Sequence, residues 1–168
     1  MLGCRTMELL ALAVWIGGLV VIIGSVIPAV FNSFGMEPGG RFLTRVFDGY
    51  NRLVIGAIVI LAGCAALRYR MGLQSGAVGG GLGRFEIILL AVMIAIAFLI
   101  MLWLGPASVT MQEQAFATKD EAARKAAYSA FFRTHTVVRG LYLLNLCLGI
   151  ALVAVKSKGA LNSSGHAS

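Results

Sequence analysis

Four uncharged, apolar runs constrain the fold of this chain more than any other feature of the sequence. They cover residues 9–36, 53–67, 87–112 and 140–155. The hydrocarbon core of a bilayer is about 30 Å thick, so a helix needs about 20 apolar residues to cross it. The runs therefore predict four membrane-spanning helices, of which the second and fourth have short apolar centres.

The predicted fold is an all-α integral membrane protein, a four-transmembrane-helix bundle. Only 12% of the 168 residues are charged, against about 25% in soluble proteins. The spans use nearly the whole length, which leaves no room for a separate soluble catalytic module and makes an enzyme the less favoured interpretation. We expect a single domain over 1–156 with helices at about 8–32, 39–70, 84–112 and 120–156, then a disordered tail over 157–168.

The basic charge of the chain indicates a membrane surface as its partner. The formal net charge is +7, and the fourteen Lys and Arg residues lie mostly in short stretches beside the apolar runs. In such positions positive charge sets topology and meets anionic lipid head groups, so nucleic acid is not an expected partner. Cys4, Cys64 and Cys147 form no CxxC pair, and we interpret them as small buried hydrophobic residues rather than disulfides.

A polar stripe enters the last predicted helix. At 100° per residue, His135, Arg139, Tyr142 and Asn145 fall on one side of a helix that should lie in hydrocarbon. Lipid cannot satisfy these groups, so other parts of the protein must do so.

The other unusual residues are predicted at the same membrane face as this stripe. The second and fourth helices are both short of apolar length there, which predicts a polar recess walled by the longer first and third helices. The candidate ligand-binding residues of this predicted recess are Asp48, Asn51, Arg52, Trp103, Pro106, His135, Arg139, Tyr142 and Asn145.

The first helix carries a face of small residues that favours close helix packing. We assign Trp15, Gly18, Ser25 and Pro28 to packing, and we expect Pro28 to kink or loosen the last turn. The face suits a homo-oligomer or a larger membrane complex, although it is equally suited to contacts inside the bundle.

The two halves of the sequence echo each other. Pro28-Ala29 matches Pro106-Ala107, which suggests a tandem two-helix repeat. In the helices that follow, Phe47, Asn51 and Gly56 align with Phe131, His135 and Gly140. The predicted recess side carries eight basic residues and the terminal side six, but the six lie immediately at helix ends, which slightly favours termini on the cytoplasmic side. The expected location is the cytoplasmic (inner) membrane of a bacterium.

Several motifs resemble those of a known group of proteins. They are Trp15-Ile16-Gly17-Gly18, Pro28-Ala29-Val30-Phe31, the stretch 47–52, and Phe131-x-x-x-His135 with Leu144-Asn145. In order and spacing they resemble the transmembrane-protein-205-like family of domains of unknown function, which are bacterial four-helix membrane proteins. The Trp-x-Gly-Gly start is also similar to the copper-resistance D family and to haem-associated membrane protoporphyrinogen oxidases. Those resemblances imply haem b or copper, with His135 as the candidate ligand.

Two classes of function remain open. The first is a non-enzymatic membrane protein, transporter-like or a subunit of a complex, whose predicted recess binds an anionic ligand or a lipid head group. The second is a haem-linked or copper-linked redox protein that uses His135. Because His135 lies between Arg133 and Arg139, in the most polar part of the predicted bundle, we expect the protein to purify without haem or stoichiometric copper.

Overall fold

The computed structural model describes residues 2–75 and 83–164, and the regular structure within these ranges is entirely helical. Gly35, whose φ is +73°, provides the left-handed turn that separates α2 from α3. The helices are α1 (Leu2–Val21), α2 (Ile27–Phe34), α3 (Met36–Ser75), α4 (Arg84–Leu99), α5 (Gly105–Ala117) and α6 (Glu121–Ser164), with π-helical segments at Ile22–Val26 and Ile100–Leu104.

Four helical stretches are long and apolar enough to cross a membrane, which confirms the predicted fold class. They are Gly3–Phe34, Met36–Met71, Arg84–Ala117 and Glu121–Lys158, and we call them the first to fourth spans. The chain is an integral membrane protein. Helix α6 continues to Ser164, into the stretch predicted as a disordered tail, and residues 165–168 of that predicted tail lie outside the described residues.

The two π-helical segments explain how proline is accommodated inside the first and third spans. Each segment ends just before a helix with a proline in its first turn, Pro28 in α2 and Pro106 in α5. Proline has no N–H to donate to the preceding turn, and its ring crowds the carbonyl four residues earlier. A π-bulge is one of the local adjustments that takes up such a disruption without breaking the helix.

The first and second spans pack as one antiparallel hairpin, and the third and fourth spans pack as another. Helices α1 and α2 pack on α3, α4 and α5 pack on α6, and the two hairpins meet where α1 contacts α6. The most completely buried apolar side chains come from all four spans and belong to one core. They are Leu12, Leu19, Leu61, Met93 and Leu152.

The burial pattern supports a tandem repeat. Every buried residue of the described first span has a buried counterpart in the third span at one constant offset in the sequence. The same offset relates Pro28 to Pro106 and the two π-helical segments to each other. The buried pairs are Glu8 and Glu86, Ala11 and Leu89, Leu12 and Leu90, Trp15 and Met93, Leu19 and Ala97, Ile22 and Ile100, and Val30 and Ser108.

Candidate functional site

Four charged residues, one from each span, meet inside the bundle near the end where the first span begins and the fourth span ends. They are Glu8 of α1, Arg68 of α3, Glu86 of α4 and Lys156 of α6, and we call them the ionic cluster. Each cation contacts both carboxylates. Two positive and two negative charges therefore form a closed ring with no net charge.

The charged atoms of the ionic cluster lie within hydrogen-bonding distance of one another. Arg68 Nη1 lies 3.1 Å from Glu8 Oε2 and 3.1 Å from Glu86 Oε1. Lys156 Nζ donates to Glu8 Oε2 at 2.6 Å and also to Glu86 Oε1. The Glu8 side chain is only 2% exposed and that of Arg68, the most accessible of the four, 13%. These four charged groups are largely removed from solvent and have lost most of their hydration. Direct pairing between opposite charges is the main interaction that offsets this loss.

The ionic cluster lies at or within the edge of the hydrocarbon core. Arg139, which is exposed, and Lys156 lie on the same helix. At a rise of about 1.5 Å per residue, they are about 25 Å apart along the helix axis. That distance is shorter than the hydrocarbon thickness of about 30 Å. If Arg139 reaches the head groups at one face, the cluster cannot be fully outside the core at the other. Ionisable groups at such depth are stable only when they pair with one another.

The ionic cluster is not predicted from the sequence, in which Arg68 and Lys156 look like ordinary basic residues at helix ends. A signal was nevertheless present. Glu8 and Glu86 are related by the same offset as Pro28 and Pro106, so the predicted repeat already placed two acids at equivalent positions.

Part of the predicted recess is assembled in the structure. The Tyr142 hydroxyl donates to Asn51 Oδ1 at 3.4 Å, which joins the fourth span to the second. The Tyr142 ring also contacts Phe47 and Tyr50, with ring centroids 5.3 and 6.4 Å apart. The predicted grouping of Asn51 with Tyr142 is therefore seen as a direct contact.

A small cavity between the spans adjoins this contact. Asn145 is 4% exposed, and its Nδ2 donates to the Met93 carbonyl at 3.4 Å. Its Oδ1 is buried without a hydrogen-bond partner among the described residues. The cavity is lined by Trp15, Tyr50, Asn51, Val54, Ala97, Ile100, Met101, Tyr142 and Asn145.

The remaining predicted recess residues lie on the outside of the bundle or at its margin. Asp48, Arg52 and Arg139 are exposed, as are Trp103 and Pro106. His135 is half-buried, and its ring stacks on that of Phe131 with centroids 5.3 Å apart. The assembled part of the recess is therefore narrow, and exposed arginines lie close to it in sequence on both contributing helices.

The four residues assigned to packing in the first helix divide into two pairs. Trp15 is buried and its carbonyl accepts a 2.9 Å hydrogen bond from the Tyr50 hydroxyl. A Cβ on Gly18 would lie 3.1 Å from the Tyr50 ring, so this glycine allows close contact inside the bundle. Ser25 and Pro28 are exposed. Assembly of several chains through this helix stays a prediction.

The described residues contain no group of three or more His, Cys, Asp or Glu side chains arranged to hold a metal ion. Within these ranges His135 has the aromatic ring of Phe131 as its stacked neighbour. The expectation that the protein binds no haem or copper stays a prediction, and His135 ligation stays its alternative.

Comparison with known proteins gives one result. The family model described as a domain of unknown function (DUF4149) matches residues 10–117. No curated protein and no solved structure matches the chain. The matched region contains the first span from residue 10 onwards and the whole of the second and third spans, so it includes Glu86 but not Glu8. The resemblances to the transmembrane-protein-205-like and copper-resistance D families stay predictions.

Proposed function

This chain belongs to the DUF4149 family, and on that premise we propose that it binds the phosphate group of an anionic phospholipid without acting as an enzyme. The binding site is the surface where α3 and α6 meet at the Asn51–Tyr142 hydrogen bond. One observation carries the proposal: each residue of that bond has an exposed arginine within one helical turn in the sequence, Arg52 or Arg139, and the nearby Asn145 has a buried oxygen with no described partner.

The arrangement suits a phosphate for two reasons. Arg52 directly follows Asn51, and Arg139 lies one turn before Tyr142, so each helix carries an exposed guanidinium near the bonded pair, enough to outweigh the single Asp48 carboxylate that also acts on Tyr142. Guanidinium groups bind phosphate oxygens with charge-assisted, often bidentate hydrogen bonds. The Tyr142 hydroxyl and the Asn51 amide supply additional hydrogen-bonding groups at the same place.

The depth of the site favours a lipid as the source of the phosphate. Arg52 and Arg139 are the last charged residues before the uncharged runs 53–67 and 140–155. They therefore mark the boundary of the hydrocarbon core, where arginine side chains extend towards the phosphate plane. A lipid head group is already present at this level, whereas a soluble anion would have to enter from water.

We place the protein in a bacterial cytoplasmic membrane with its termini inside. The ionic cluster neutralises both acids of the terminal side, Glu8 and Glu86. The terminal side carries six basic residues against eight on the opposite side, but the six lie immediately at helix ends, where the positive-inside rule counts most. They are Arg5, Arg68, Arg70, Arg84, Lys156 and Lys158.

The test measures lipid binding to delipidated protein by native mass spectrometry. We expect phosphatidylglycerol to bind more tightly than phosphatidylcholine. The double variant Arg52→Gln/Arg139→Gln should weaken phosphatidylglycerol binding about thirty-fold, since each basic residue near an anionic surface contributes about 1 kcal/mol and the two together about 2 kcal/mol. The matched control is Arg45→Gln/Arg133→Gln, which removes exposed arginines from the same two helices further from the site.

The control and a competitor decide the outcome. Equal losses in both double variants would show general attraction of basic residues to anionic lipid and would overturn the proposed site. Competition by millimolar inorganic phosphate would indicate a soluble anion as the ligand in place of a lipid.

The redox alternative is tested separately by colour and metal content. Under the proposal, purified protein shows no Soret band and no stoichiometric copper. A Soret band, or one copper per chain that is lost in His135→Ala, would replace the proposal with the redox function.

A further inference from the structure

We propose that Cys4 and Cys64 are a redox-active pair that forms a reversible disulfide between α1 and α3, beside the ionic cluster. This inference is independent of lipid binding, because the pair lies at the opposite end of the bundle from the Asn51–Tyr142 contact. The reaction partner is a low-molecular-weight disulfide that oxidises the pair, and the corresponding thiol reduces it again.

The packing register between the first two spans places the two cysteines opposite each other. A Cβ on Gly18 would lie 3.1 Å from the Tyr50 ring, so these two residues face each other across the antiparallel hairpin. Cys4 precedes Gly18 by as many residues as Cys64 follows Tyr50. Equal steps along antiparallel helices lead to facing positions, which brings Cys4 and Cys64 to the same level.

The side chains are in contact at that level. The Cys64 thiol lies within hydrogen-bonding range of Cys4, and Glu8 and Lys156 of the ionic cluster are close enough to act on it electrostatically. Cys64 is buried and Cys4 is half-buried. A disulfide requires Cβ atoms about 3.5–4.5 Å apart, a distance that small side chains at a close helix contact can reach.

The difference in burial assigns the two sulfurs different roles. Cys4 is the accessible one, so its thiolate attacks a sulfur of an incoming low-molecular-weight disulfide and releases one thiol. The Cys64 thiolate then attacks the Cys4 sulfur of the mixed disulfide and releases the second thiol. The two cysteines lose two electrons and two protons, and the incoming disulfide gains them as two thiols. The product bond ties α1 to α3 next to Glu8.

Cys147, the third thiol, lies in the apolar run 140–155 and is exposed on the outside of the bundle, so the interpretation of all three cysteines as buried is wrong at this residue. Its side chain faces lipid, out of reach of a water-soluble disulfide. The inferred chemistry predicts that oxidation consumes two of the three thiols and leaves Cys147 reduced.

The experiment treats the full chain, in membranes, with glutathione disulfide at graded ratios to glutathione. Free thiols are then alkylated, and peptides are mapped by mass spectrometry. We expect the Cys4–Cys64 linked peptide to exceed every product that contains Cys147 by at least about ten-fold, because the pair reacts intramolecularly. Added excess glutathione should restore both thiols.

Three results would overturn the inference. They are the recovery of Cys4 only as a mixed disulfide with glutathione, the absence of oxidation at Cys64, and equal cross-linking through Cys147. Because the mapping uses the wild-type chain, no result depends on whether a variant folds. Loss of the linked peptide in Cys64→Ser, with an unchanged pattern in Cys147→Ser, would confirm the assignment of the sulfurs.

Discussion

The two ends of the bundle handle polar groups in opposite ways. In the ionic cluster, four buried charges from four spans are all paired, and each cation contacts both carboxylates. At the Asn51–Tyr142 contact, the arginines are exposed, and the buried Asn145 Oδ1 has no partner among the described residues. The ionic cluster is closed to a ligand, whereas the other end presents unused hydrogen-bonding capacity.

The apolar core that contains Leu12, Leu19, Leu61, Met93 and Leu152 includes side chains from all four spans. The ion pairs of the cluster and the hydrogen bonds at the other end have no residue in common, so the two regions can be altered separately. Interactions between residues that share no partner are close to additive, which makes separate variants of each end a fair comparison.

The largest expected effect comes from unbalancing the ionic cluster. Glu8→Gln leaves Arg68 and Lys156 facing a single carboxylate, and removing one partner of a buried ion pair costs about 3–5 kcal/mol. Unfolding of the purified protein in mixed micelles measures the change. Glu37→Gln, which breaks the exposed pair with Arg41, should cost less than about 0.5 kcal/mol.

A double variant separates charge balance from packing in the same cluster. Glu8→Gln combined with Lys156→Met removes one charge of each sign and should be more stable than Glu8→Gln alone. If the double variant instead loses the full sum of the two single effects, Glu8 and Lys156 do not compensate each other.

The second-largest loss of stability is expected at Gly149, where the two hairpins contact each other. A Cβ on Gly149 would lie 2.8 Å from Ile16 Cγ1 and 3.3 Å from Met93 Cε, whereas one on Gly140 would meet no atom within 4 Å. Gly149→Val should therefore destabilise the bundle by about 1–3 kcal/mol through overpacking. Gly140→Val on the same helix should be nearly neutral, and equal losses would contradict the close contact at Gly149.

A smaller effect is expected from the hydrogen bond between the first two spans. Tyr50→Phe removes the hydroxyl that donates to the Trp15 carbonyl and should cost about 1 kcal/mol. Tyr69, which is exposed on the same helix, provides the control. Tyr69→Phe should leave the unfolding midpoint unchanged within error.

The smallest effect should come from Asn145, although this residue is as buried as those of the ionic cluster. Asn145→Leu removes an oxygen without a described partner and a long 3.4 Å bond to Met93, and it adds apolar contacts. We expect a stability within about 1 kcal/mol of wild type. A loss comparable to that of Glu8→Gln would show that Asn145 is as firmly bound as the cluster.

Part of the recess follows from helical periodicity. The 100° spacing placed Tyr142 and Asn145 on one side of the fourth helix, and the structure directs both towards the cavity. Periodicity does not distinguish which neighbouring span meets that side. The same spacing therefore grouped Tyr142 and Asn145 with Arg139, whose side chain is exposed.

The predicted alignment of the halves also fails to pair the cations of the ionic cluster. Matching Phe47 with Phe131 sets Arg68 against Leu152, one turn short of Lys156. A long side chain can reach across a turn, so sequence alignment of short motifs does not fix which charges meet.

The sequence by itself determined the four spans, because apolar length against hydrocarbon thickness is a property read along one dimension. It also placed Pro28 and Pro106 at equivalent points, since a missing N–H has a local consequence. Only the tertiary structure decided that Glu8 meets Lys156 and that Cys4 faces Cys64. Such pairings depend on the rotation and axial register of separate helices, which the packing of small and large side chains sets in three dimensions.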